Sequence, residues 1–138
     1  METSENINEI ATALAKAQGQ IEAALKDKTN PHLRSKYADL ASVWDACRHQ
    51  LSSNGIAIVQ APETTEKGVS IETLLCHSSG QWVKSSCFIP VDKYTAQGFG
   101  SAITYARRYS LAAFVGVAPD DDDGNGAGSG EKPSAKKD

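Results

Sequence analysis

Residues 69–76 and 81–89 alternate apolar and polar side chains with a period of two, and a Ser78-Ser79-Gly80 turn stands between them. No other pattern in the chain constrains the fold as tightly. A period of two sends successive side chains to opposite faces of a strand. Val69, Ile71, Thr73 and Leu75 therefore share one face of the first segment. In the second, Val83, Cys87 and Ile89 stand opposite Trp82, Lys84 and Phe88. The Ser-Ser-Gly spacer is hairpin chemistry. A shorter apolar run at residues 56–60 supplies another strand, and Pro90 ends the last one. The expectation is a three-stranded antiparallel sheet (β-β-β).

Helices flank this sheet, which makes the fold class α+β. Asn6 and Glu9 form a capping pair for a helix over residues 6–27, where Ile7, Ile10, Leu14, Ala17, Ile21 and Ala24 recur at 3-4-3-4-3 spacing. That spacing is an a/d seam. Two uses of it are open: the helix lies across its own domain, or Ile7, Ile10, Leu14 and Ile21 form an oligomer interface. Pro31, in the loop Thr29-Asn30-Pro31-His32, ends any helix. A second helix follows Arg34-Ser35-Lys36-Tyr37, with Leu40, Val43, Trp44, Cys47 and Leu51 as its apolar face and Asn54-Gly55 as a left-handed stop. A long last helix over residues 96–115 packs on the sheet. On a wheel of about 100° per residue, Phe99, Ala102, Ile103, Ala106, Ser110, Ala113 and Phe114 share its packing face. Ser101, Thr104, Arg108 and Ala112 take the far side, and Arg107 the flank.

A chain of 138 residues has room for one core, read here as a domain over residues 1–119. Beyond Pro119 come Asp120, Asp121, Asp122 and Asp123 and then a Gly/Ser/Lys tail to residue 138, a composition that predicts disorder. The net charge of −3 hides an asymmetry. Residues 28–118 hold nine bases against six acids, while residues 1–27 and 119–138 each stand at −3. Phosphates respond to local potential, so the acidic ends do not exclude them as ligands. Three cysteines, odd in number and widely spaced, fit a reducing compartment better than a disulfide framework. No stretch nears the roughly eighteen apolar residues of a membrane span, and no signal-peptide pattern opens the chain. A cytoplasmic protein is the expectation.

No catalytic constellation emerges. His32, His49 and His77 fall on a loop, a helix and a strand end, and Cys76-His77 with Cys87 lacks the paired spacing of a zinc site. There is no phosphate-binding G-x4-G-K-[ST] loop, and Gly98-Phe99-Gly100 lacks the rest of a dinucleotide fingerprint. Neither enzyme activity, nor a metal, nor a cofactor is expected. Four adjacent aspartates on a Gly-flanked tail are poorly preorganised for the magnesium of a nuclease. What remains suits single-stranded nucleic acid, where cations follow the phosphates and flat rings stack on bases. Arg34, Lys36 and Tyr37 form one basic-aromatic cluster, and Tyr105, Arg107 and Arg108 a second. Lys84 with Trp82, and Lys93 with Tyr94, make a third zone. Plain structural uses compete with these: Trp44 as core filler with the Arg48 stem along its edge, and Tyr94 and Tyr109 as core or interface residues.

Particular strings go further. Asn30-Pro31-His32-x-x-Ser35-Lys36-Tyr37-Ala38-Asp39-Leu40 resembles the early block of the Erf (essential recombination function) family of phage recombination proteins. The run from Gly100-Ser101-Ala102 through Tyr105-Ala106-Arg107-Arg108-Tyr109 resembles its later block, closing on Ala118-Pro119-Asp120. Leu51-x-x-Asn54-Gly55 and His77-x-x-Gly80-x-Trp82 are similar as well, so the resemblance spans about residues 5–125. It implies a protein that binds single-stranded DNA and pairs complementary strands without nucleotide hydrolysis, in phage homologous recombination within the bacterial cell. It implies a ring or filament homo-oligomer and an annealed duplex intermediate. A host single-strand-binding or replication protein, or a phage exonuclease, is an implied partner. It further implies a core like that of lambda Red beta and RecT, a small sheet crossed by a helix.

On this reading Arg34, Lys36, Lys84, Lys93, Arg107 and Arg108 line one groove that grips phosphates, with Tyr37 and Tyr105 beside it. Arg107 and Arg108 lie about 100° apart on their helix, so they do not both face one phosphate track. Arg108, next to Tyr105 on the outward face, is the stronger choice for DNA, and at least one of the two is open to serve a subunit interface. The competing readings are a structural oligomer without a ligand and a magnesium-dependent nuclease using the aspartates.

Overall fold

The computed structural model describes residues 1–25 and 39–118. Among them are three helices and a four-stranded, wholly antiparallel sheet. In chain order the elements are β1 (Glu2–Thr3), α1 (Asn8–Leu25), α2 (Leu40–Ser53), β2 (Ile56–Thr65), β3 (Gly68–His77), β4 (Trp82–Pro90) and α3 (Ala96–Val115). The sheet order is β1-β4-β3-β2. The expected sheet thus gains a strand. Glu2 and Thr3 pair with Lys84 and Val83 along the edge of β4. Two residues are too few to carry a period, so nothing in the sequence announced them.

β3 is the centre of the domain. Val69, Ile71, Thr73 and Leu75 are all no more than 1% exposed, as their alternation requires when helices cover one face only. The helices lie on that face. β2 runs on to Thr65, well past the apolar run, and it passes through Pro62. The register explains why proline is tolerated. Ser78 N–H donates to the Gly55 carbonyl at 2.9 Å, so the odd-numbered residues of β2 bond to β3 and the even-numbered ones turn off the sheet. Pro62 occupies an outward position where no ladder donor is needed. Pro90 has the same geometry on β4, whose even-numbered residues face β1: Ser4 N–H donates to the Trp82 carbonyl at 2.9 Å. Each free edge therefore carries a proline that blocks pairing with another strand.

The start of α1 is held from outside the helix. The helix begins at Asn8, two residues later than the Asn6–Glu9 capping pair implied. Its exposed N–H groups at Glu9 and Ile10 donate to Gln81 Oε1 at 2.8 and 2.9 Å, and Gln81 Nε2 donates to Asn8 Oδ1 at 3.0 Å. A side chain from the β3–β4 hairpin thus does the work of an N-cap. α2 is capped conventionally, with Asp39 accepting from Ser42 N–H at 2.8 Å, and Gly55 follows it at φ 78°. That left-handed residue is the stop read from Asn54-Gly55.

The a/d seam of α1 is used within the chain. Ile10, Ala17 and Ile21 are 1, 0 and 3% exposed, and Leu14 packs against the same cluster. They meet Val43, Cys47 and Leu51 of α2 and Leu111, Ala112 and Val115 of α3. Of the four residues considered for an oligomer interface, Ile10 and Ile21 are thus buried within the chain, Leu14 is half-buried and Ile7 is exposed, at 41%. α3 departs from the wheel for a related reason. Its first half buries Ala102 and Ala106 on the sheet, as expected, but its second half is caught between the sheet and the other helices. Ala112, assigned to the far side, is buried at 3%, and Ala113, assigned to the packing face, is exposed. Cys47 belongs to this core, and burial pushes its thiol up to about 12, so it behaves as a small apolar side chain. No helix among the described residues is long and apolar enough to cross a membrane.

Candidate nucleic-acid interface

The chain enters α3 through a tight loop. Thr95 Oγ1 accepts from Gly98 N–H at 2.9 Å to cap the helix. A side chain at Gly98 would run into the Lys93 carbonyl oxygen, which is why glycine sits in the first turn. Lys93 and Tyr94 are exposed in this loop, and the Tyr94 ring lies 5.9 Å from Phe99.

Beyond the cap, the outward side of α3 faces the N-terminus of α2 across a cleft of about 740 Å³. Asp39 and Leu40 line one wall, and Gln97, Gly100, Ser101, Thr104, Tyr105 and Arg108 the other. Asp39 and Leu40, the end of one distinctive string, are thus brought beside the other, which runs through Gly100 to Tyr109. Tyr105 is 51% exposed. Its ring lies 4.5 Å from that of Tyr109 at a 44° tilt, and the Arg108 guanidinium lies 4.3 Å from the centre of the Tyr109 ring. Tyr109 thereby braces the two side chains that reach into the cleft, by ring contact and by cation–π attraction. Desolvation, followed by the neighbouring Tyr109, raises the Tyr105 phenol above its ordinary value, with Arg108 opposing. It remains a neutral ring with a hydroxyl at physiological pH. The Asp39 carboxylate in the facing wall is engaged by the α2 N-terminus, where the helix dipole favours it.

The other expected site residues fall elsewhere. Arg107 is half-buried, with Nε donating to Gln60 Oε1 at 3.2 Å, while Gln60 Nε2 donates to the Arg107 carbonyl at 3.1 Å and to Thr73 Oγ1 at 3.0 Å. It ties α3 to β2. Lys84 points away from the helices altogether. Register places it on the open sheet face, in one row with Val59, Leu74 and Glu2. There its Nζ lies 3.3 Å from Glu2 and 3.7 Å from Glu72, and 5.3 Å from the Trp82 ring. A single groove holding Lys84, Arg107 and Arg108 therefore does not form: the sheet itself separates Lys84 from the cleft. Arg34, Lys36 and Tyr37 lie outside the described residues, in the chain that leads directly to Asp39. A second hollow of about 290 Å³, between α3 and β4, is lined by Thr73, Ser85, Cys87, Tyr109, Ser110, Ala113 and Phe114. Among the described residues that line it there is no cation to hold a phosphate.

Sequence reasoning missed Gln97 and Gly100 as cleft residues, although Ser101, Thr104 and Arg108 share the far side of the wheel and marked that face. It also missed Gln60, whose contact with Arg107 depends on strand register. Among the described residues no three of His, Cys, Asp and Glu converge on a metal position. The four aspartates considered for magnesium lie outside that set.

An antiparallel sheet with helices on one face, and a cleft between two of those helices carrying an arginine and an exposed tyrosine, define an α+β domain with a candidate interface. The chain belongs to the ERF superfamily, whose family model matches residues 10–138. No curated protein and no solved structure matches it.

Proposed function

We propose that this chain binds single-stranded DNA in the cleft between α2 and α3 and promotes annealing of complementary strands without nucleotide hydrolysis, in phage homologous recombination. The observation that carries the reading is the cleft itself, where Arg108 and the exposed Tyr105 of the later family block stand opposite Asp39 and Leu40, the last two residues of the early block. Arg108 holds a phosphate by a charge-assisted contact, and Tyr105 supplies a face for a base. Arg34, Lys36 and Tyr37, a few residues before Asp39 in the sequence, are further candidates for contact with DNA. A strand held by its backbone keeps its pairing edges for a second strand, and Watson–Crick chemistry completes the match.

Each phosphate contact is individually weak, so a homo-oligomer, ring or filament, sums them along the strand. The order β2-β3-β4-α3, a sheet crossed by a helix, is what kinship with Red beta and RecT implies, and it supports the reading. So does membership of the family. Action in the bacterial cytoplasm, alongside a host single-strand-binding protein or a phage exonuclease, follows from the same reading.

The test is annealing of two dye-labelled complementary oligonucleotides without ATP. The protein should accelerate it, and the effect should fade as salt rises, because counterion release drives phosphate binding. No acceleration, together with no salt-sensitive binding to either strand, defeats the proposal. Magnesium-dependent cleavage of the oligonucleotides would instead favour a nuclease.

A further inference from the structure

Two glycines sit in helix interiors, where glycine costs stability relative to alanine. For neither does the described structure supply a reason. No described residue comes within 4 Å of a Cβ built at Gly19 in α1 or at Gly100 in α3. Both are exposed. They differ in surroundings, because Gly100 lies in the wall of the cleft. It falls in line with Thr104 and Arg108 at i, i+4 and i+8, a row of about 12 Å along the helix.

We propose that Gly100 is the point where the backbone of bound single-stranded DNA crosses α3, and that Gly100 is glycine so that the strand can approach the helix closely. Glycine serves this purpose wherever a ligand must reach the main chain. Arg108 then meets a phosphate two turns further on, and the exposed Ser101 and Thr104 hydroxyls flank the crossing as donors to phosphate oxygens. Tyr105 stands beside the row to receive a base. Gln97, one turn before Gly100, closes the near end. The inference rests on the proposed DNA-binding reading and adds to it the path of the strand.

The path makes stability and affinity move in opposite directions. Gly100→Ala should raise the melting temperature by roughly 4–8 °C through helix propensity. It should also weaken binding of a fluorescein-labelled oligo(dT), read by anisotropy, by about tenfold. Gly19→Ala should raise the melting temperature similarly and leave oligo(dT) binding unchanged. Normal binding by Gly100→Ala overturns the path while DNA binding itself stands. A lower melting temperature for Gly100→Ala overturns it too, since the glycine would then serve packing within the chain. Equal loss of binding in both variants points to helix stiffening and also overturns it. If the unaltered protein fails to bind oligo(dT) at all, the functional reading falls, and the path with it.

Discussion

Two aromatic–cation groups look alike in the sequence and differ in the molecule: Trp82 with Lys84 on the open face of the sheet, and Tyr105, Arg108 and Tyr109 on α3. Around Lys84 the sheet gathers Glu2 from β1 and Glu72 from β3, and Glu63 lies on the same face. Two carboxylates within 4 Å outweigh one ammonium, and a phosphate would meet a negative surface. Among the described residues that line the cleft, Asp39 carries the one carboxylate, and it is engaged by a helix N-terminus. A cation beside an aromatic ring is therefore not enough to mark a nucleic-acid site. The neighbours that strand register brings to the cation decide whether it can serve one. Substitutions in the cleft should act on affinity, and substitutions on the hairpin and open face should act on stability or on nothing.

The largest expected effect is on the cleft. Combining Tyr105→Ala with Arg108→Ala should reduce oligo(dT) affinity by about 100-fold, since a stacked base alone is worth roughly 1–3 kcal/mol. Arg108→Ala alone should also lower the slope of log affinity against log salt by about one. Circular dichroism melts should change little, because both side chains reach outward. Full affinity in the double variant would remove the cleft from the comparison.

Next comes the hairpin. Gln81→Ala leaves two N–H groups at the start of α1 without their acceptor, and should destabilise the fold by about 1–2 kcal/mol. That corresponds to a melting temperature lower by roughly 4–8 °C per kcal/mol. The residual folded protein should bind oligo(dT) normally. An affinity loss without a stability loss would place DNA at the hairpin and reverse the assignment.

Much of the architecture was legible because one face of β3 is fully buried. Burial on one side only imposes the alternation at Val69, Ile71, Thr73 and Leu75, and the helical period of α3 is equally plain over its sheet-facing half. The failures share a cause: each depended on a contact distant in sequence. The strand read over residues 56–60 runs on through Pro62 because β2 is an edge strand. Ala112 looks exposed until α1 and α2 are known to cover the second half of α3. The seam of α1 fits a partner chain as well as its own core, because an a/d pattern does not say which helix it meets. At the candidate site, the outward placement of Arg108 and Tyr105 was readable from the wheel, whereas Lys84 looked available because Glu2 and Glu72 reach it only through strand pairing.

Arg107 tests that same point inside one dipeptide. Its guanidinium and carbonyl are both bonded to Gln60, so Arg107→Ala should destabilise the fold by about 1 kcal/mol, and Gln60→Ala by a similar amount. Combined, the two should cost less than their sum, because they break one shared interaction. Affinity for oligo(dT) should stay within about threefold, a margin well inside the central spread of hydrogen-bond effects. A strong affinity loss for Arg107→Ala, without one for Gln60→Ala, would mean that Arg107 reaches the strand after all.

The smallest effect should be at Lys84. Lys84→Met keeps an unbranched stem against Trp82 and removes the charge. Its carboxylate partners are 71% and 48% exposed, so water already screens them, and the change in stability should stay within about 1 kcal/mol. Whatever loss there is should shrink further in high salt. Oligo(dT) affinity should remain within about twofold of the unaltered protein, a difference below 0.5 kcal/mol. A near-null result has value here, because Lys84 and Arg108 offer the same formal charge beside the same kind of ring. If Lys84→Met instead weakened binding as strongly as Arg108→Ala, the strand would have to touch both faces of the sheet, and register would have lost its power to tell the two groups apart.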